Sequence, residues 1–424
     1  MRVVVGVILA GVLATGAAES FAGAIRFIYS NGLERLAGLP LPWFLAGSLL
    51  LVLATSAASG WLMVKFCPEA AGSGIPQVKV AYRDSRIGIP FRVVWVKFLA
   101  GALSIGGGAS LGREGPTVQV AAGLASCLAR WFPGLRLSQG TALAAGSAGG
   151  LAAAFKAPVS AGTFFIEEIA EELRSPFVWA ALLGAITASV LMRETLGQLA
   201  EIQMLPLQAP EGLTWLWMVP VGALAAFVGM LFQRGALALR GRAMGPVPVP
   251  RWTLPMVGGA TTWVLGVSVF IITGHLGVFG LGYPDMLAAL NGQVFWGAAA
   301  LLVAAKLLAT IASYGLGGCG GIFSPLLCLG VLTGAAACGG ISLVQPLSGN
   351  DATTLMLVGM GACIGAVLRA PFTSILIVFE MTRQAQMLPG LMLATLVAQA
   401  VSHAMARENF YAALLRQDGH PLTP

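Results

Sequence analysis

Charge is what this sequence has least of. Asp, Glu, Lys and Arg make up 10% of its 424 residues, where a soluble protein carries about 25%. Residues 307–350 contain none of the four, and such a stretch exceeds one membrane span of about 20 residues. Histidine occurs three times, at His275, His403 and His420, which excludes a His-rich metal site. The six cysteines (Cys67, Cys127, Cys319, Cys328, Cys338 and Cys363) are scattered through apolar sequence with no CxxC. Buried free thiols are therefore expected, with no disulfide and no metal centre. The apolar runs also lack the period-two alternation of a transmembrane β-barrel. These absences leave an all-α polytopic membrane protein.

What is present supports that class. The 56 glycines let helices approach closely in lipid. The net charge of +7 includes Lys79, Arg83, Arg86, Arg92 and Lys97 in one short stretch. This stretch reads as a cytoplasmic loop obeying the positive-inside rule, and not as a nucleic-acid surface. Met1 to Ser20 has the make-up of a signal peptide, but in a chain that is itself membrane-spanning a first transmembrane helix is the expected reading. Polar segments are short, so no appended globular domain is expected.

The chain repeats itself. Gly146 to Glu168 reads GSAGGLAAAFKAPVSAGTFFIEE and Gly359 to Met381 reads GMGACIGAVLRAPFTSILIVFEM. Lys156-Ala157-Pro158 matches Arg369-Ala370-Pro371, and Glu167 matches Glu380, at an offset of 213 residues. Pro116 and Pro325 lie 209 apart, each after a glycine-rich run. A duplicated unit follows, roughly 1–210 and 211–424, in either parallel or inverted relation. Interrupted helices at matching places in two halves point to a transporter site.

Three glycine-and-proline breaks interrupt apolar sequence: Gly72-Ser73-Gly74-Ile75-Pro76, Gly112-Arg113-Glu114-Gly115-Pro116 and Gly321-Ile322-Phe323-Ser324-Pro325. Lipid cannot satisfy broken backbone, so such breaks must be buried in protein or face an aqueous cavity. The first places a serine hydroxyl and free amides at a helix N-terminus, where an anion is favoured, although a loop turn alone would explain it as well. The third offers the amides of Ile322 and Phe323 with no charge nearby. Glu114 is the sharper signal, because an intramembrane carboxylate is a functional candidate by default. Ionised, it can occupy an anion's place; protonated, it can leave. The competing reading is a salt bridge with Arg113. Of two adjacent acids, Glu167 matches Glu380 and so carries a shared structural role, whereas Glu168 faces Met381 in the repeat and is the functional candidate. Ser110 sits in a G-x-S-x-G pattern, but no strand precedes it and only His275 could serve as base, so an intramembrane hydrolase is set aside.

These three motifs, in this order and in a duplicated chain, resemble the CLC family of chloride channels and chloride/proton exchangers, and the likeness runs through AAAFKAP to Tyr411. The resemblance implies two inverted-repeat halves with many tilted and broken helices. It also implies a homodimer with one pore per subunit, a bacterial-type inner membrane, and no cofactor beyond chloride and protons as transported ions. It implies that Ser73 and Tyr411 give hydroxyls to a central chloride with the amides of Ile322 and Phe323. Amides from Arg113 to Gly115 would form an outer site, and Gly72 belongs to the first anion-binding motif. Glu114 would be the gating glutamate and Glu168 the internal proton-transfer glutamate. The channels of the family typically lack the latter, which favours exchange over passive flow, and fluoride-selective relatives usually lack the serine. The family's leading cytoplasmic helix and its nucleotide-binding CBS domains find no counterpart in this sequence. Ser324 stands where alanine is common, read as a mild change, and Lys156 where asparagine is common.

Overall fold

The computed structural model describes residues 1–84, 88–197, 201–204, 206–210, 212–246 and 248–420. Arg86 and the repeat boundary at Glu211 lie outside them. α1 (Arg2–Tyr29) runs through a π-helical turn (Ser30–Glu34) into the one-turn α2 (Arg35–Ala37), followed by α3 (Leu41–Phe66). The short α4 (Ile75–Arg83) leads to α5 (Phe91–Gly106), α6 (Glu114–Trp131) and α7 (Gln139–Phe155). α8 (Pro158–Phe164) widens into a second π-helical turn (Phe165–Ala170) before α9 (Val178–Leu196). Then come α10 (Thr214–Met244), α11 (Leu254–Thr273), the short α12 (Tyr283–Leu290), α13 (Trp296–Gly315) and α14 (Phe323–Ile341). α15 (Gly349–Leu368), α16 (Pro371–Thr382), α17 (Leu388–Met405) and α18 (Phe410–Gln417) complete the chain.

Among the described residues nine helices are long and apolar enough to cross a membrane, and the stretch that opens at Arg2 is one of them. α1 buries Val7, Ala10, Ala14 and Phe21 and packs on α6, α7 and α9, so it is part of the core. The innermost layer is α6 against α7 and α14 against α15. α7 is mostly Ala and Gly over GTALAAGSAGGLAAAF, which permits close approach in the absence of a hydrophobic drive between helices. Large apolar side chains such as Leu50, Ile272 and Leu396 point outward instead, as expected where the solvent is lipid.

The matched KAP and RAP segments adopt matched backbone. α7 ends at Lys156 and α15 at Arg369, both left-handed at φ 54°. Asparagine suits that conformation; Lys156 adopts it too, and its Nζ lies 3.5 Å from Glu201. α8 and α16 then cross, and each carries an acid that reaches the start of the other. Glu380 accepts from the amides of Val159 (3.0 Å) and Ser160 (2.7 Å). Glu167 accepts from those of Phe372 (3.2 Å) and Thr373 (2.7 Å). A carboxylate at a helix N-terminus satisfies otherwise orphaned donors and complements the dipole. The next left-handed pair, Glu171 and Arg383, lies 212 residues apart, one fewer than Lys156 and Arg369. The π-helical turn thus holds one residue more than α16 has.

The basic stretch is only partly the solvated loop that the sequence reading expects: Arg83 and Arg92 are exposed, but Lys79 and Lys97 are fully buried. Lys97 caps the carbonyls of Ala70 (2.9 Å) and Gly72 (2.5 Å) where α4 is about to begin. Lys306, also buried, caps those of Gly277 (2.7 Å) and Gly280 (3.3 Å) ahead of α12. Each lysine serves broken backbone that lipid could not satisfy.

Replacing Glu380 or Glu167 by alanine removes the acceptor for two amides. Each change is expected to cost about 1.5–3 kcal/mol, the range for hydrogen bonds to a charged group. A lowered midpoint of thermal unfolding in detergent checks this, and an unchanged midpoint for both variants would rule out the fastening.

Candidate anion and proton site

The three broken motifs meet through their backbones. Gly72 N–H donates to Gly318 O (3.0 Å), and Gly320 N–H donates to Gly72 O (3.1 Å). Gly112 and Gly321 exchange both bonds, at 2.7 and 2.6 Å. These are isolated bridges, and the described residues contain no sheet. Glycine is required where the loops touch. A Cβ on Gly115 would sit 2.7 Å from the Ser73 carbonyl oxygen, and one on Gly112 would sit 3.1 Å from the Ser324 amide nitrogen. The starts of α4, α6 and α14 are thereby gathered at one buried point. Their first-turn amides have no partner within the helix, and their dipoles add there.

Glu114 is the first residue of α6 and is fully buried. Its carboxylate lies over the start of α14. Oε2 accepts from the Ser324 amide (3.3 Å), and Oε1 accepts from the Ser324 hydroxyl and from Tyr283 Oη (3.0 Å). Arg113 does not pair with it. That guanidinium donates through Nη2 to Glu201 (2.7 Å) and to Ala154 O (3.3 Å), while its buried Nε has no protein partner. Ser73 and Tyr411 place their hydroxyl oxygens 3.5 Å apart, both buried. Gly72 is a correction: its amide is taken by Gly318, because the motif is spliced to the glycine run before α14, and it has no N–H left for an anion. Beneath Ser73 lies a cavity of about 40 Å³, lined by Gly72, Tyr314, Arg240 and Asp418, the last two paired at 2.5 Å.

Glu168 sits in the π-helical turn, which turns it away from Glu167. It is buried and paired with Lys79 (2.9 Å), and its other oxygen accepts from Asn409 Nδ2 (3.2 Å). Asn409 also caps α18 through the Ala412 amide (2.7 Å). The acid is therefore tied to the helix that carries Tyr411. Lys79 is shared with Glu171 (2.6 Å), which also meets Arg83. Ser110, of the G-x-S-x-G pattern, bonds Thr310 (2.9 Å), while His275 pairs with Asp285 (2.7 Å). Their side chains are engaged elsewhere.

Sequence reasoning missed Tyr283, Lys79, Glu201 and Asn409, and undervalued Ser324, which touches Glu114 directly. Tyr283 had a usable signal: Gly282-Tyr283-Pro284 is a fourth glycine-and-proline break. The others are joined only by long-range packing.

A polytopic helical membrane protein whose buried carboxylate lies on helix N-termini is a protein built to handle anions. The voltage gated chloride channel family matches residues 55–403. The H(+)/Cl(-) exchange transporter ClcA of Vibrio campbellii is 32% identical over 98% of this chain and 88% of its own length. That of Vibrio parahaemolyticus is also 32% identical, over 96% and 88%. Among solved structures, a slow cyanobacterial Cl-/H+ antiporter superposes with a TM-score of 0.86 at 27% identity, covering 99% of this chain and 98% of that one. A CLC-type fluoride/proton antiporter shares the fold, with a TM-score of 0.75 at 22% identity over 97% and 96%. The chain belongs to the voltage gated chloride channel, or CLC, family.

Removing one partner of a buried ion pair strands the other charge, at about 3–5 kcal/mol. Lys79→Met should therefore unfold far more easily in detergent than the wild type, and Lys79→Met with Glu168→Leu should recover most of the loss. Equal loss in the single and double variants would mean that the pair does not hold these elements together.

Proposed function

We propose that this chain is a secondary active transporter that exchanges chloride for protons across a bacterial inner membrane. The observation that carries the reading is the Glu114 carboxylate lying on the start of α14, where an anion would sit. A negative group held by amides and hydroxyls occupies a place suited to chloride. Protonation removes its charge and its claim on those donors, and chloride can then take them. Movement of the anion is thereby tied to movement of the proton.

The ligands proposed for chloride are the hydroxyls of Ser73 and Tyr411, the amides of Ile322 and Phe323, and, further out, those of Arg113 to Gly115. All are neutral. The nearest guanidinium, on Arg113, is engaged by Glu201. Neutral donors bind an ion weakly enough to release it. In this scheme Glu114 takes its proton from the outside and passes it inward, and Glu168 exchanges it with the inner solution. The acid at Glu168 favours exchange over a passive CLC-type channel, and Ser73 favours chloride over fluoride. We further propose that residues 1–210 and 211–424 are inverted repeats and that two chains form a homodimer. The reciprocal Glu167 and Glu380 contacts support the first, and the family resemblance supports the second.

In liposomes with a chloride gradient and no pH gradient, uphill proton movement is expected; chloride flux without it would favour the channel. Glu114→Gln should abolish proton coupling while anion flux persists, and retained proton pumping in that variant would remove Glu114 from the role. Ser73→Ala should change the chloride/nitrate preference. An unchanged ratio would count against Ser73 as a ligand.

A further inference from the structure

We propose that Ser324 is a positioning residue for the gate: together with Tyr283 it latches Glu114 into the anion's place. This rests on the exchange reading above for its consequence, but not for its geometry.

Ser324 grips the carboxylate with two donors of one residue. Its amide reaches Oε2 at 3.3 Å and its hydroxyl reaches Oε1. Tyr283, at the start of α12, adds its own hydroxyl to Oε1 at 3.0 Å. An alanine at 324 would keep the amide bond and lose the hydroxyl bond. The two hydroxyl oxygens lie 3.3 Å apart. Each hydroxyl has a single proton, so while both donate to Glu114 they cannot also bond each other. Once the carboxylate swings away, the Ser324 hydroxyl can turn to the Tyr283 oxygen and remain satisfied. The Tyr283 proton and the Ser324 amide are then free for the arriving anion. The latch thus has two complete hydrogen-bonding states, one with Glu114 seated and one with the anion in its place. A buried donor left unsatisfied would make the second state costly.

If the latch stabilises the seated carboxylate, it opposes chloride, because the two compete for one helix start. Loss of one bond to a charged acceptor is expected to raise chloride affinity about tenfold. The test is calorimetric titration of the purified protein in detergent with chloride. Ser324→Ala should bind chloride more tightly and Ser324→Thr should match the wild type, whereas Tyr283→Phe, which loses a donor to the carboxylate and to the anion alike, should shift affinity less than Ser324→Ala. In a Glu114→Ala background the Ser324→Ala change should give no gain. Unchanged or weaker binding in Ser324→Ala with Glu114 present would overturn the proposal. So would an equal gain with Glu114 absent, since Ser324 would then act on the anion alone. Proton-coupled flux measured on the same wild-type protein keeps the two readings apart. Tighter binding in Ser324→Ala with no proton coupling in the wild type would sink the exchanger and leave the latch. Coupling with no effect on affinity would sink the latch alone.

Discussion

Everything in this molecule depends on satisfying broken backbone where water is absent. Three helices, α4, α6 and α14, start in the interior rather than at a surface, and each start leaves amides without intrahelical partners. The chain meets this by splicing the breaks to one another. Gly72 is bonded to the run before α14, and Gly112 to Gly321. Lys97 and Lys306 then cap the carbonyls just ahead of α4 and α12. What is left over is a small set of amides and hydroxyls at one point. The site is the unsatisfied remainder of an otherwise closed account.

The fold class was legible because it is written in composition and in repeats. A near absence of charge, glycine at high density and two matched KAP and RAP segments need no three-dimensional knowledge. Glu114 was legible for a similar reason: a lone carboxylate among glycines in apolar sequence is conspicuous. The partners of these residues were not legible. Glu201 and Arg113 are 88 positions apart, and Lys79 and Glu168 are 89 apart. No periodicity links them. Gly72 shows the opposite error, since a motif that looked free in sequence spends its amide on holding the loops together.

Charge is handled in two distinct ways. Lys97 and Lys306 face carbonyl oxygens and act as structural clips. Lys79 faces carboxylates, with Glu168 on one side and Glu171 on the other. Buried ion pairs seldom add net stability, because desolvation offsets the attraction. Conformational definition is the more natural benefit here. Pinned by Lys79 and Asn409, the Glu168 side chain is held at the start of α18, the helix that supplies Tyr411.

The extra residue in the π-helical turn sets the chemistry of one segment apart from that of its match. The KAP and RAP segments carry matching acids, Glu167 and Glu380, and any change that only one segment needs must leave their reciprocal contacts standing. Inserting a single residue after Glu167 leaves the mutual fastening of α8 and α16 intact, because both acids keep their distance from the helix starts. It also lengthens this turn by one residue relative to its match. Glu168 stands there. Two matched segments can in this way become chemically lopsided while remaining architecturally even.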